Sequence, residues 1–233
     1  MTRRPASRAR RTRLLKLGVL VSGRGSNLGA ILDAIRRGRL HAEVAIVISD
    51  RPDAPALRLA RARGCPTMTV DPKNSLTREQ FDQAVAGALK QHGVELVAMA
   101  GYLRIITPAL IEPFRHRIMN IHPALLPSFP GLKAPWQAVE AGVKLAGCTV
   151  HFVTEEVDRG PIVIQAAIPV RPGEREASLA RRLLQQEHRI FPRAIEFFAQ
   201  GRLRVTGRTV RIKGLRAPRA SNEAVLINPP LTG

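Results

Sequence analysis

Asn120-Ile121-His122-Pro123 is where residue types and spacing in this chain speak most directly of chemistry. In an extended segment positions 120 and 122 face the same side, so an amide and an imidazole point into one space. The amide donates a hydrogen bond, and the imidazole donates one while also exchanging a proton near neutral pH. Such a pair can stabilise an oxyanion and manage the proton of a tetrahedral intermediate. A purely structural histidine is the competing reading. Ser22-Gly23-Arg24-Gly25-Ser26-Asn27 follows an apolar run and opens a helical pattern. Backbone N–H groups and a helix dipole in that place favour an anion. The third glycine of a dinucleotide fingerprint is replaced by Leu28 and no Gly-Lys-Ser/Thr follows, so a single phosphate fits better than a dinucleotide or nucleoside triphosphate. A tight turn with no ligand explains the same glycines equally well. In the polar loop from Thr154 to Pro161, Asp158 either caps a Gly-Pro turn or supplies a carboxylate to His122.

Other chemistry is poorly supported. The six histidines form no His-x-x-x-His pair, and Cys65 and Cys148 are far apart in the chain, so no metal site is expected. Cys148 and His151 lie in an apolar strand pattern and read as packing and structural residues respectively, and Trp136 reads as a packing anchor of its helix.

The elements that must position these residues alternate short β-branched runs with helical patterns, which predicts an α/β fold with one doubly wound, mostly parallel sheet. Parallel strands are predicted at 17–22, 43–49, 66–70 and 95–100. A first helix is predicted with Ser26 as N-cap, and a second over about 77–92 with a Thr77/Gln80 capping box. From 102 to 135 six prolines surround one short apolar run, Ile118 to Ile121, which predicts a long rigid loop rather than regular elements. Strands at 148–154 and about 161–168, a helix from about 177 interrupted at Pro192, and a hairpin around Gly207 complete the folded part. One domain is expected over 17–212, with disordered basic tails at 1–16 and 213–233.

Composition narrows the class. The 233 residues are 45% hydrophobic and 24% charged, as in a globular protein, and no apolar run approaches the roughly 20 residues of a membrane span. Two cysteines make no disulfide framework, which points to a reducing, cytoplasmic setting. The net charge of +19 suggests nucleic acid until it is located. Residues 1–16 and 202–220 each carry 7 of the 37 Lys and Arg, leaving 23 in between against 17 acids. Tails of that kind read as solvated, and neither a nucleic-acid nor a membrane partner is expected.

Taken together, the motifs at 23–27, 120–127, 147–152, 158–162 and 186–188 resemble the folate-dependent formyltransferase superfamily, most closely its branch that formylates glycinamide ribonucleotide (GAR). The similarity runs over about 17–205. It implies a Rossmann-like formyltransferase fold and direct transfer of formyl from the co-substrate 10-formyltetrahydrofolate to the GAR amine in purine synthesis, without metal. It assigns Asn120, His122 and Asp158 to catalysis, with Asp158 raising the His122 pKa. Gly25, Ser26, Asn27 and Glu187 would bind GAR. Arg78, Tyr102, Leu103, Arg104, Ile105, Ile106, Asn120, Thr154, Glu155, Glu156, Val157 and Asp158 would bind folate. The chain would act on these small molecules as a monomer or homodimer. Lys133 stands where some members of the superfamily have histidine, and Arg159 where glycine or another small residue is common.

Three alternatives stay open. A formyltetrahydrofolate hydrolase usually carries an N-terminal regulatory domain, for which the residues before Leu17 are too few. A methionyl-tRNA formyltransferase normally needs a C-terminal β-barrel, for which the residues after Ile212 are too few. A nucleotide- or RNA-binding module on the same sheet would leave Asn120, His122 and Asp158 incidental.

Overall fold

A computed structural model describes residues 13–75, 77–215 and 226–228. The elements run β1 (Leu15–Val21), α1 (Ser26–Arg36), β2 (Ala42–Ser49), α2 (Pro55–Ala62), β3 (Thr67–Thr69), α3 (Arg78–Gln91), β4 (Leu96–Met99), α4 (Pro108–Ile111) and β5 (Ile118–His122). They continue α5 (Ala134–Glu140), β6 (Leu145–Phe152), β7 (Ile162–Pro169), α6 (Glu176–Ala199), β8 (Leu203–Thr206), β9 (Thr209–Ile212) and β10 (Leu226–Asn228). One sheet holds all the strands in the order β3-β2-β1-β4-β5-β6-β7-β9-β8, with β10 also against β7. From β3 to β5 every pairing is parallel, whereas β5, β6 and β7 are mutually antiparallel neighbours.

Alternation along β1 shows why the sheet is covered on both faces. Leu17, Val19 and Val21 join α1, α2 and α6 residues such as Leu28, Leu57 and Phe191 in one core, while Leu20 joins Phe81 and Val85 of α3 and Leu110 of α4 in a second. Both faces are apolar because β1 is buried between helix layers.

Four expectations need correction. Gly25 and not Ser26 is the N-cap of α1, with φ 79°. A Cβ there would stand 2.7 Å from Ala56 Cβ, so close contact with α2 requires glycine at that position. The proline-rich segment is not one loop. Pro108 opens α4 and Pro135 lies in the first turn of α5, where no N–H is needed. The run at Ile118–His122 is a central strand between β4 and β6. Helix α6 continues through Pro192 for 24 residues. Proline there removes one backbone donor, and burial of Phe191, Ala194 and Ile195 on the sheet holds the helix together. Trp136 is 47% exposed and anchors no core.

The boundaries at the two tails also shift. Strand β1 begins at Leu15, and Leu226–Asn228, placed by the sequence in a tail, pair antiparallel with Gln165–Ala167 of β7. The rest of the expected tails, 1–12, 216–225 and 229–233, lies outside the described residues.

Candidate active site

Where the strand order reverses between β1 and β4, a crevice forms at the C-terminal strand ends, the usual ligand position of open α/β sheets. A cavity of about 430 Å³ opens there, with Asn27, Met99, Asn120 and His122 among its walls. The segment after β4 is fixed at both ends. Ser22 N–H donates to Gly101 O and Leu103 N–H to Ser22 Oγ, each at 3.0 Å. At the far end Thr107 N–H donates to the buried carboxylate of Asp82 at 2.6 Å. Thr149 Oγ ties the loop after β5 to the sheet, donating to Ala124 O at 2.7 Å and accepting from Leu126 N–H at 3.1 Å.

Strand β5 delivers Asn120 and His122 to the same side, and the register with β6 sets Asn120 directly opposite His151. His151 Nδ1 lies 3.0 Å from Phe152 O, and its Nε2 lies 3.2 Å from Asn120 Nδ2. With the ring proton on Nδ1, Nε2 accepts one amide hydrogen of Asn120, which leaves the second for a ligand. His122 is held between two acceptors: Nε2 is 2.8 Å from Phe129 O and Nδ1 is 3.4 Å from Asp158 Oδ2. Asp158 Oδ1 is also 3.5 Å from His151 Nε2, and Gly131 N–H donates to Oδ2 at 2.8 Å. Two histidines and one carboxylate thus form a buried, connected group.

The loop reaches this point because Gly160 passes hard against β6. A Cβ on it would collide with Phe152 O. Asp158 itself takes φ 54°, a conformation that aspartate tolerates better than most residues.

Burial disfavours the charge on Asp158, but the nearby His151 ring, the hydrogen bond from Gly131 N–H and the charge of His122 outweigh it and hold the carboxyl below its ordinary value. His122 is pulled down by burial, against upward pushes from Asp158 and Phe129 O. Asp158 raises His122 in the expected direction, and burial exceeds that push. At neutral pH the ring is neutral, yet a proton gained during reaction meets an acceptor on either side.

At the other end of the cavity Asn27 Nδ2 donates to Glu187 Oε2 at 2.7 Å, with both side chains buried. Burial pushes the Glu187 carboxyl up, and the Asn27 bond opposes this only in part. Asn27 Oδ1 is buried with no hydrogen-bond partner among the described residues, an acceptor suited to a ligand hydroxyl.

The remaining residues singled out in the sequence divide. Tyr102, Leu103, Arg104, Ile105, Ile106, Thr154, Glu155 and Val157 line the cavity. Leu103 and Ile105 are 59% and 57% exposed and form an apolar rim. Gly25 and the exposed Ser26 sit at the start of α1, outside the cavity walls. Arg78, exposed at the start of α3, and Glu156, whose carbonyl accepts from Thr154 Oγ at 3.3 Å, also lie outside them. Gly131, Leu132 and Lys133 contribute walls that residue patterns did not indicate. His151, read as structural, is in the site. Among the described residues no group of three or more His, Cys, Asp or Glu could hold a metal ion, and no helix is long and apolar enough to cross a membrane.

The chain is similar to several known proteins. Phosphoribosylglycinamide formyltransferase of Escherichia coli is 39% identical over 204 residues, covering 88% of this chain and 96% of that protein. The crystal structure of glycinamide ribonucleotide transformylase 1 from Symbiobacterium toebii superposes with a TM-score of 0.85 at 53% identity, over 86% of this chain and 94% of that one. The trifunctional purine biosynthetic protein adenosine-3 of Gallus gallus is 41% identical over 194 residues, covering 83% of this chain. The chain spans only 19% of that much longer relative. The formyl transferase family model matches residues 15–195, a span that holds β1, the Asn120–His122 strand, Asp158 and Glu187, and so the chain belongs to the formyl transferase family.

Proposed function

We propose that this chain transfers formyl from 10-formyltetrahydrofolate to the amine of 5-phosphoribosylglycinamide in purine biosynthesis. The observation that carries the reading is the convergence of Asn120, His122 and Asp158 in one cavity, with the Asn27–Glu187 pair at one end and the 102–106 segment at the other. Likeness to bacterial phosphoribosylglycinamide formyltransferases over nearly their whole length supports it. The cytoplasm suits the two free cysteines.

The ribonucleotide phosphate would lie on the backbone of Gly25, Ser26 and Asn27, with Glu187 and Asn27 Oδ1 receiving its hydroxyl donors. Folate would lie along 102–106 and 154–158, its glutamate tail toward Arg104 and Arg78. The substrate amine attacks the formyl carbon and the carbonyl oxygen becomes an oxyanion. The second amide hydrogen of Asn120 donates to that oxygen. Negative charge beside His122 raises its proton affinity, and Asp158 adds to the rise, so the ring becomes imidazolium as the intermediate forms. The proton that His122 takes up is the one lost by the amine, and it passes on through Asp158 and water to the departing folate nitrogen as the intermediate collapses. No nucleophilic side chain is required.

Purified protein with 10-formyltetrahydrofolate, with and without GAR, separates the outcomes. Formylated ribonucleotide produced only with both substrates is the predicted result. Formate released at the same rate without GAR would make the chain a hydrolase, and folded protein with no turnover would reject the proposal.

A further inference from the structure

A second cavity, of about 530 Å³, lies between the C-terminal end of α1 and the C-terminal half of α6, and its charged and polar walls are Arg39, His188, Arg189, Arg193, Glu196 and Gln200. Three guanidiniums face one carboxylate, and that carboxylate is already occupied. Glu196 Oε2 accepts from His41 N–H at 2.7 Å and Oε1 from Gln200 Nε2 at 2.6 Å.

Positive charge is crowded here. The guanidiniums of Arg193 and Arg202 lie 4.4 and 4.9 Å from the centre of the same Phe197 ring. Burial and then Arg202 act against the charged form of Arg193, with Glu196 in partial opposition. An anion beside Arg193 would relieve this opposition to its charge. A guanidine donor is left without a partner as well: Arg193 Nε is buried and makes no hydrogen bond among the described residues. A buried donor without an acceptor is uncommon in a folded protein and points to a group that completes it.

We propose that this cleft binds a phosphate-bearing anion, either free phosphate or the phosphoryl group of a small metabolite. Guanidinium forks match phosphate oxygens with paired hydrogen bonds, and exposed Arg39 stands where an anion would enter. The site shares no residue with the cavity around His122. Its nearest link to that cavity is sequential: His188 follows Glu187 on α6, and Arg189 Nη1 donates to Gln186 Oε1 at 2.9 Å.

The test is isothermal titration of the full chain with inorganic phosphate and, separately, with adenosine monophosphate, alongside the Arg39→Gln and Arg193→Gln variants. Wild-type protein is expected to show a phosphate isotherm that weakens at least about fivefold in each variant, with phosphate slowing amide exchange over 188–200. Tighter binding of the monophosphate assigns a phosphorylated metabolite, and equal or weaker binding assigns free phosphate. Arg39 is exposed, so its variant decides the matter even if Arg193→Gln fails to fold. Wild-type isotherms retained in Arg39→Gln, no phosphate binding by the wild type, or protection confined to 22–28 would overturn the proposal.

Discussion

Asn120 and His151 illustrate how one residue's role depends on a partner that the sequence leaves unspecified. Asn-x-His-Pro was readable because alternation alone puts Asn120 and His122 on one side of a strand. His151 was read as structural, and its place in the cavity wall was not legible because it depends on β5 and β6 pairing antiparallel, with 120 opposite 151, and nothing local to Val150-His151-Phe152 carries that register. Asp158 was a candidate from its place in a polar loop and Glu187 from motif resemblance, but their electrostatics were not legible, since burial decides both His122 and Glu187. Glu187 gives a prediction at this scale. Its folded-state pKa is raised above the ordinary 4.5, so the folded chain holds this proton more tightly than the unfolded chain does. The resulting stability is complete below about pH 4.5 and is lost as pH rises through the folded pKa. Glu187→Gln removes that loss while keeping an acceptor for Asn27. Calorimetry should find the variant's Tm gaining on wild type as pH rises from 4.5 toward neutrality. A difference that stays flat with pH would argue against a raised Glu187.

Among the elements, those with strong periodicity were legible and those held by tertiary contacts were not. The Thr77/Gln80 capping box forms as read, with Gln80 N–H donating to Thr77 Oγ and Thr77 N–H to Gln80 Oε1, both at 3.2 Å. Proline misled twice, because its local effect was taken as decisive. In α6 the apolar face on the sheet overrides the single lost donor at Pro192, and in the 102–135 segment prolines begin helices instead of preventing them. Gly160 is the element-scale control point of the site, since its contact with Phe152 O brings the Asp158 loop onto β6. Gly160→Ala should push that loop outward and lower turnover at least about tenfold through loss of the Asp158 position, while circular dichroism shows an intact fold. Wild-type turnover in this variant would mean that the loop position is not critical.

The whole molecule was readable for its parallel half, where each buried run of Val, Ile and Leu is a strand. Its antiparallel half was readable as strands but not as an arrangement, and β10 was missed because Leu226–Asn228 is a short run far from the other elements in sequence. Charge carried less information than its size suggested, since most of the excess basic residues lie near the two ends of the chain. The two cores flanking β1 and β4 make a prediction about cooperative stability. Amide exchange should be slowest in β1 and β4, bonded on both sides and covered on both faces, and fastest among the strands in β8 at the sheet edge. Exchange of β1 as early as β8 would contradict this order.

The central claim is that Asn120 and His122 stabilise the oxyanion of formyl transfer. The most direct measurement is the single-turnover transfer rate of Asn120→Ala and His122→Ala with saturating 10-formyltetrahydrofolate and GAR, with folate affinity measured in parallel. The account predicts a fall of about 10²–10³ in rate for each variant, with folate affinity changed far less. Either variant retaining more than about a tenth of the wild-type rate while folded would contradict the assignment.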